Sequence, residues 1–265
     1  MTVRVHHLNC GTLRPPGAPP MVCHVLLVET DAGLVLVDTG LGTADIASPR
    51  ARLGVIAPVI RPALDDAETA VAQVRALGYS PADVTHIVAT HLDSDHTGGI
   101  DDFPGAKVHV TTTEYRSAGL ADGPAAALRY RPWRSSPVPA TVTYDRFPVD
   151  WFGFPSAPLS AIDEDLLLVP LPGHTPGHAG VAVPTGDGWL LHCGDAFYHR
   201  AAVFGGPVPA ALRLGQFVSA TRRRETRATR DRLAEAFSDG APNVTLVCAH
   251  DPVMYADAAR GSIGG

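Results

Sequence analysis

Apolar runs alternate with short polar breaks along most of the chain, and their spacing predicts both strands and helices. VCHVLLVET (22–30) and LVLVD (34–38) are β-branched and Leu-rich runs flanking Asp31 and Gly33, which predicts a hairpin. In DDAETAVAQVRALG (65–78), Ala67, Val71, Val74 and Leu77 recur at helical spacing, with Asp65 and Glu68 marking the start and Gly78 the end. HIVAT (86–90) predicts a buried strand that delivers His91 at its carboxyl end. Lys107 to Val110 predicts another, and Thr112 would cap a helix running through Tyr115. LLLVP (166–170), AGVAVP (179–184), WLLHC (189–193) and VTLVCA (244–249) read as strands, and TRATRDRLAEAF (226–237) as a helix. Between about 117 and 160 the pattern loosens into Pro, Arg and aromatic residues around one strand at Thr141 to Phe147, so a variable insertion is expected there. Helices between strands imply an α/β fold in which helices cover sheets. GLVLVDTG (33–40) and GWLLHCGD (188–195) echo one another, a hint of two similar halves.

The 265 residues and 45% hydrophobic content suffice for one large core, and a single domain is expected. A net charge of −6 with only one short basic run argues against a nucleic-acid partner and for a small-molecule substrate. The N-terminus has neither a basic nor an apolar leader region, and no stretch approaches the roughly 20 apolar residues of a membrane helix. The expectation is a cytoplasmic protein with no membrane partner. Cys10, Cys23, Cys193 and Cys248 form no CxxC pair, so neither a disulfide framework nor a thiolate zinc site is indicated.

The chemistry concentrates just after apolar strands. HLDSDH packs His91, Asp93, Asp95 and His96 together, GHTPGH carries His174 and His178, CGDAFY carries Asp195, and CAHD carries His250. Loops at strand ends are where sites sit in such folds. At an extended strand end His91 and Asp93, two apart, point the same way, while Asp95 and His96 turn toward a neighbouring position. Two adjacent metals follow from that arrangement. Taken alone, HLDSDH would also serve as a helix N-cap with an acidic first turn, and His6, His7, His24, His86, His109, His192 and His199 read as hydrogen-bonded structural residues.

Four ordered motifs, THLDSDHTGG, GHTPGH, HCGD and the final AHD, resemble the metallo-β-lactamase superfamily, whose signature is H-x-H-x-D-H followed by three separated ligands. The resemblance runs from LVDTG to His250 and implies an αββα sandwich of two similar halves with a binuclear centre at the edge between the sheets. It implies that His91, Asp93 and His174 hold one metal, that Asp95, His96 and His250 hold the second, and that Asp195 bridges them. Asp38 would orient a ligand histidine through its free ring nitrogen. The sequence departs from the signature at Asp93, where an anionic oxygen replaces an imidazole nitrogen. The cofactor expectation is therefore two divalent ions, zinc by resemblance, with Mn²⁺ or Fe suited to the Asp93 position.

Such a centre activates a hydroxide for hydrolysis. The resemblance is to the N-acyl-homoserine lactonase group, in which a tyrosine three residues after the bridging aspartate approaches the substrate; Tyr198 holds that spacing from Asp195. Asp95, Asp195 and Tyr198 are the catalytic candidates, and a lactone or related ester is the expected substrate. Thioester and phosphodiester hydrolysis are the alternatives, and a di-iron redox protein is a third, since such members also carry a carboxylate at the second signature position. Tyr130, Trp133, Tyr144, Phe147, Trp151, Phe152 and Phe154 would form an apolar lid over an acyl chain, or else a packing cluster or subunit contact, which leaves a homodimer open. The Arg-rich run TRRRETRATRDR reads as helical ion pairs on a solvated face.

Overall fold

The computed structural model describes residues 3–120, 129–130, 133, 139–186, 188–237 and 243–261. Among the described residues, twelve strands form two six-stranded sheets, each in chain order across its width. The first holds β1 (Arg4–Leu13), β2 (Met21–Thr30), β3 (Gly33–Val37), β4 (Val84–Val88), β5 (Lys107–Thr111) and β6 (Thr141–Tyr144). The second holds β7 (Val149–Trp151), β8 (Phe154–Leu159), β9 (Asp163–Pro170), β10 (Ala179–Thr185), β11 (Gly188–His192) and β12 (Val244–Val247).

Both faces of each sheet are covered, which is why central strands such as β2, β3, β9, β10 and β11 read as apolar runs rather than alternating ones. Leu26, Val28, Val35, Val37 and Val88 meet Leu166, Leu168, Val181, Val183 and Val247 between the sheets. The opposite faces turn outward. Leu27, Leu36 and Ile87 pack on Val71 and Val74 of the helix Ala70–Ala76, and Val169, Leu191 and Leu246 pack on Leu233 and Phe237 of the helix Arg223–Phe237. The layers are therefore helix, sheet, sheet, helix.

The echo between GLVLVDTG and GWLLHCGD has a topological meaning. β3 pairs antiparallel with β2 and parallel with β4, and β11 pairs antiparallel with β10 and parallel with β12. Each is the strand at which its sheet changes from antiparallel to parallel, and open sheets place ligand sites beside such switches.

Local differences from the sequence expectations have identifiable causes. Glu68 does not reach back to Asp65; its carboxylate accepts from Thr12 N and Thr12 Oγ1, both at 2.6 Å. Asp65 caps only a 3₁₀ turn, and Thr69 caps the helix proper by accepting from Ala72 N at 3.3 Å. One residue earlier than expected, Thr111 caps the helix Thr112–Leu120 by accepting from Glu114 N. β1 escaped detection because polar His6, His7 and Asn9 break its pattern. Of the segment expected to be an insertion, residues 141–159 supply β6, β7 and β8, integral to the two sheets; residues 121–128, 131–132 and 134–138 lie outside the described residues.

Candidate metal centre

β3, β4, β9, β11 and β12 all end at one edge of the sandwich, and every candidate ligand follows one of them. His91 to His96 follow β4, His174 follows β9, Asp195 follows β11 and His250 follows β12. The structure gathers the other six around the carboxylate of Asp195. Asp195 Oδ2 lies 3.3 Å from His174 Nε2 and 3.8 Å from His91 Nε2, while Oδ1 lies 3.1 Å from His250 Nε2 and 3.3 Å from His96 Nε2. Asp93 Oδ2 joins the first pair, 2.9 Å from His174 Nε2 and 3.4 Å from His91 Nε2. Asp95 Oδ2 joins the second, 3.6 Å from His250 Nε2 and 4.0 Å from His96 Nε2. Each oxygen of Asp195 thus faces a different trio of donors.

The hydrogen bonds around the ring nitrogens fix which atoms are free to ligate. His96 Nδ1 donates to Asp38 Oδ2 at 2.8 Å, and His250 Nδ1 donates to the Val22 carbonyl at 2.8 Å. Thr90 gives its hydroxyl proton to Asp38 Oδ2, so it accepts from His91 Nδ1 at 3.0 Å. In the neutral imidazole, Nε2 of all three then carries only a lone pair. Lone pairs aimed at a carboxylate repel it unless a cation stands between them. His91 Nε2, His96 Nε2 and Asp195 Oδ1 are buried without a hydrogen-bond partner, the condition a metal ion relieves. The spacings bracket the roughly 3.3 Å expected between ligand atoms about 2.0–2.1 Å from a tetrahedral ion. The residues fit two divalent ions.

Electrostatics agree. Burial opposes ionisation of Asp195, but His250, His96 and His174 hold its pKa well below the usual carboxylate range. Burial likewise disfavours charge on His96, yet Asp195, Asp38 and Asp95 push its pKa well above the ordinary value, and His250 is raised by Asp195 in the same way. The pocket demands positive charge, from protons or from metal.

Supporting groups explain why the sequence folds this way locally. Asp38 sits at φ 60°, a left-handed conformation that Asp tolerates, and from there accepts from Thr90 N, Thr90 Oγ1 and His96 Nδ1. His178, four residues after the candidate His174, is not in the cluster; its Nδ1 donates to the Leu171 carbonyl and its Nε2 accepts from Asp195 N at 2.9 Å, holding Asp195 in place. A Cβ on Gly194, at φ 50°, would come within 2.6 Å of that Nε2. Asp93 is the N-cap residue of the short helix Ser94–Thr97, but its side chain makes no cap hydrogen bond. Its carboxylate serves the cluster instead. His6, His7, His24, His86, His109, His192 and His199 each have a hydrogen-bond partner elsewhere.

Tyr198 is buried beside the cluster, its ring 5.0 Å from that of His250 and 6.1 Å from that of His174, with its hydroxyl 2.9 Å from Ser219 Oγ. It packs in an apolar cluster with Met21, Leu53, Leu212 and the partly buried Ile56 and Ile60. Of the aromatics expected to form a lid, Tyr130 lies beside the site, hydrogen-bonded to Glu114 and close to Asp93 and Arg129, but Trp133, Trp151 and Phe154 do not gather here. Trp151 and Phe154 pack with Trp189 and Phe237 behind the second sheet, and Trp133 packs with Tyr115 behind the first.

Sequence reasoning missed three neighbours. Glu114 is fully buried and ties two site loops together, accepting from Leu92 N at 3.2 Å and Gly177 N at 3.1 Å. Cys23 lies with Asp95 and His250 within 4.8 Å, its thiol pushed up by burial. Arg129 pairs with Asp93 through Nε at 2.5 Å and Nη2 at 2.8 Å. Only the carboxylate in the second signature position could have prompted a search for a cation, and nothing in the spacing marks residue 129. A cavity of about 1010 Å³ lies away from this cluster, between β1, β11, β12 and the helix Pro252–Gly261.

A profile of the metallo-β-lactamase superfamily matches residues 18–236. The probable metallo-hydrolase Rv2300c of Mycobacterium tuberculosis is 48% identical over 255 residues, covering 96% of this chain and 82% of that protein. The N-acyl homoserine lactonase AttM of Agrobacterium fabrum is 32% identical over 178 residues, 65% of this chain and 64% of that one. Among solved structures, an N-acyl homoserine lactone hydrolase with the product N-hexanoyl-L-homoserine bound at its catalytic metal centre superposes with a TM-score of 0.72 at 21% identity, covering 97% of each chain.

Proposed function

From the premise that this chain belongs to the metallo-β-lactamase superfamily and is a metal-dependent hydrolase of its lactonase-like group, we propose that it opens a lactone or a related ester at a two-metal centre. The observation that carries this reading is the set of four imidazole Nε2 atoms divided between the two oxygens of Asp195. His91, His174, Asp93 and Asp195 Oδ2 would hold one ion, and His96, His250, Asp95 and Asp195 Oδ1 the other. Two divalent ions held there would supply an acidified water and a Lewis acid for an acyl oxygen.

The chain's own groups supply the rest. Asp195 holds the two donor sets in register and is itself fixed by His178. Asp95 is the most exposed of the three site carboxylates, 18% against 15% for Asp93 and 3% for Asp195, and would take up a proton from the attacking water and return it to the leaving alkoxide. The pKa of Tyr198 is raised by burial and by Asp195, so its phenol stays protonated and can donate to the substrate oxygen. Met21, Leu53, Ile56, Ile60 and Leu212 beside it offer an apolar wall to an acyl chain. The relatives named as lactonases favour a lactone over a thioester or phosphodiester.

Elemental analysis of protein purified without added metal, paired with hydrolysis of a lactone, a thioester, a β-lactam and a phosphodiester, tests the proposal. Two ions per chain with the lactone turned over best supports it. Iron with no hydrolysis of any of the four would move the protein to the redox branch. Asp195→Asn should abolish turnover, because an amide cannot bridge as an anion; retained full activity would move the site elsewhere.

A further inference from the structure

Asp93 is where the chain departs from the H-x-H-x-D-H pattern, and the group that pairs with it is a cation of the chain itself. Arg129 Nε donates to Asp93 Oδ1 at 2.5 Å and Nη2 donates to Oδ2 at 2.8 Å, a two-pronged pair. The same Nη2 lies 2.8 Å from His174 Nε2, and Nη1 donates to the Ser219 carbonyl at 2.9 Å. The guanidinium therefore engages two of the atoms that would bind the first ion. The second group differs, since among the described residues Asp95 and Asp195 are ion-paired with histidines and with no arginine or lysine. A carboxylate plus a guanidinium carries the same net charge as the neutral imidazole they replace.

We infer that Arg129 is the counter-cation of Asp93 and competes with metal for the first position, so that this one side chain sets how firmly the first ion is held. The inference rests on the two-metal reading above. An ion entering between His91, His174 and Asp93 must displace Nη2 from His174 or sit beside a fixed positive charge, and both lower its affinity. The ions are thus held unequally: the second position fills first, and the first position fills as Arg129 yields. The anchor on Ser219 adds a link to the substrate side, because Ser219 Oγ is also the partner of the Tyr198 hydroxyl.

The test is calorimetric titration of the metal-stripped full chain with Zn²⁺ and with Mn²⁺, occupancy being counted by elemental analysis. Wild-type protein should show one tight and one weaker step. Arg129→Gln, which keeps the length but loses the charge, should tighten the weaker step about tenfold or more, the scale of a lost charge-assisted contact. The tight step should stay within about twofold. A weaker step left unchanged or loosened by Arg129→Gln overturns the inference, since the guanidinium would then support Asp93 as a ligand. Should Arg129→Gln fail to fold, Arg129→Lys decides. It keeps the charge but cannot span both Asp93 oxygens, so it should tighten the weaker step at least about threefold, and no change refutes the competition. Absence of any metal uptake by folded wild-type chain removes the two-metal reading itself, and the inference with it.

Discussion

Replacing Asp38 by Asn tests whether the centre depends on hydrogen bonds made outside it. The carboxylate is 1% exposed and accepts three bonds at 2.8 Å, from Thr90 N, Thr90 Oγ1 and His96 Nδ1. Asn has the same shape and equally tolerates φ 60°, so the backbone carries no new strain. With its oxygen kept on Thr90 N, however, its amide N–H groups face His96 Nδ1–H. Either His96 moves its proton to Nε2, removing the lone pair aimed at Asp195, or a buried N–H is left unpaired. One charge-assisted hydrogen bond is worth about 1.5–3 kcal/mol, which at 1.4 kcal/mol per decade is roughly 10- to 100-fold in affinity for the ion His96 would hold. That is also the usual scale for losing the partner of a metal-bound histidine. Competition against a chromophoric chelator reads the tight step directly, and melting with and without Zn²⁺ shows whether the gain from metal shrinks in step. A variant whose tight step stays within about twofold of wild type would refute the tautomer argument on which the two-metal reading stands.

Tyr198→Phe removes one hydroxyl and little volume, so kcat on a lactone should fall about 10²- to 10³-fold with metal content unchanged; a fall under about twofold would leave the residue as packing alone. Trp151→Ala should cost about 3–5 kcal/mol of stability because the ring is buried among Phe154, Trp189 and Phe237. Its kcat/KM for short and long acyl chains should change equally, and selective loss on long chains would restore a lid role. In metal-stripped protein, His24, His109 and His178 have pKa values lowered by burial, so stability should rise with pH up to about 6.5, the unfolded value. His96 and His250 are raised, so their contribution is complete below about 6.5 and is lost as pH climbs through their folded values. Denaturant melts from about pH 5 to 9 should therefore peak near 6.5 without metal and stay high at alkaline pH with saturating Zn²⁺. A peak unmoved by metal would count against cations replacing those protons.

The sequence by itself determined the sandwich, because two sheets buried on both faces require unbroken apolar strands, and VCHVLLVET, LVLVD and WLLHC are legible as such. It also marked the seven ligand candidates that meet at the site. His91, Asp93, Asp95, His96, His174, Asp195 and His250 each follow a strand end, and parallel strands bring those ends to one edge. Even the doubled GLVLVDTG and GWLLHCGD marked the two switch strands. Residues held by partners distant in sequence were decided only by the tertiary structure. Glu68 fits a helix start by local spacing, yet Thr12, on a strand that polar residues obscure, takes its carboxylate. The aromatics between 130 and 154 look like one cluster along the chain, but β6 and β7 belong to different sheets, so folding sends Trp133 and Trp151 to opposite faces. Arg129 reaches Asp93 from 36 residues away. Periodicity records how a residue sits on its own helix or strand; which charge it meets across the fold depends on the path of the chain between, and no local pattern encodes that path.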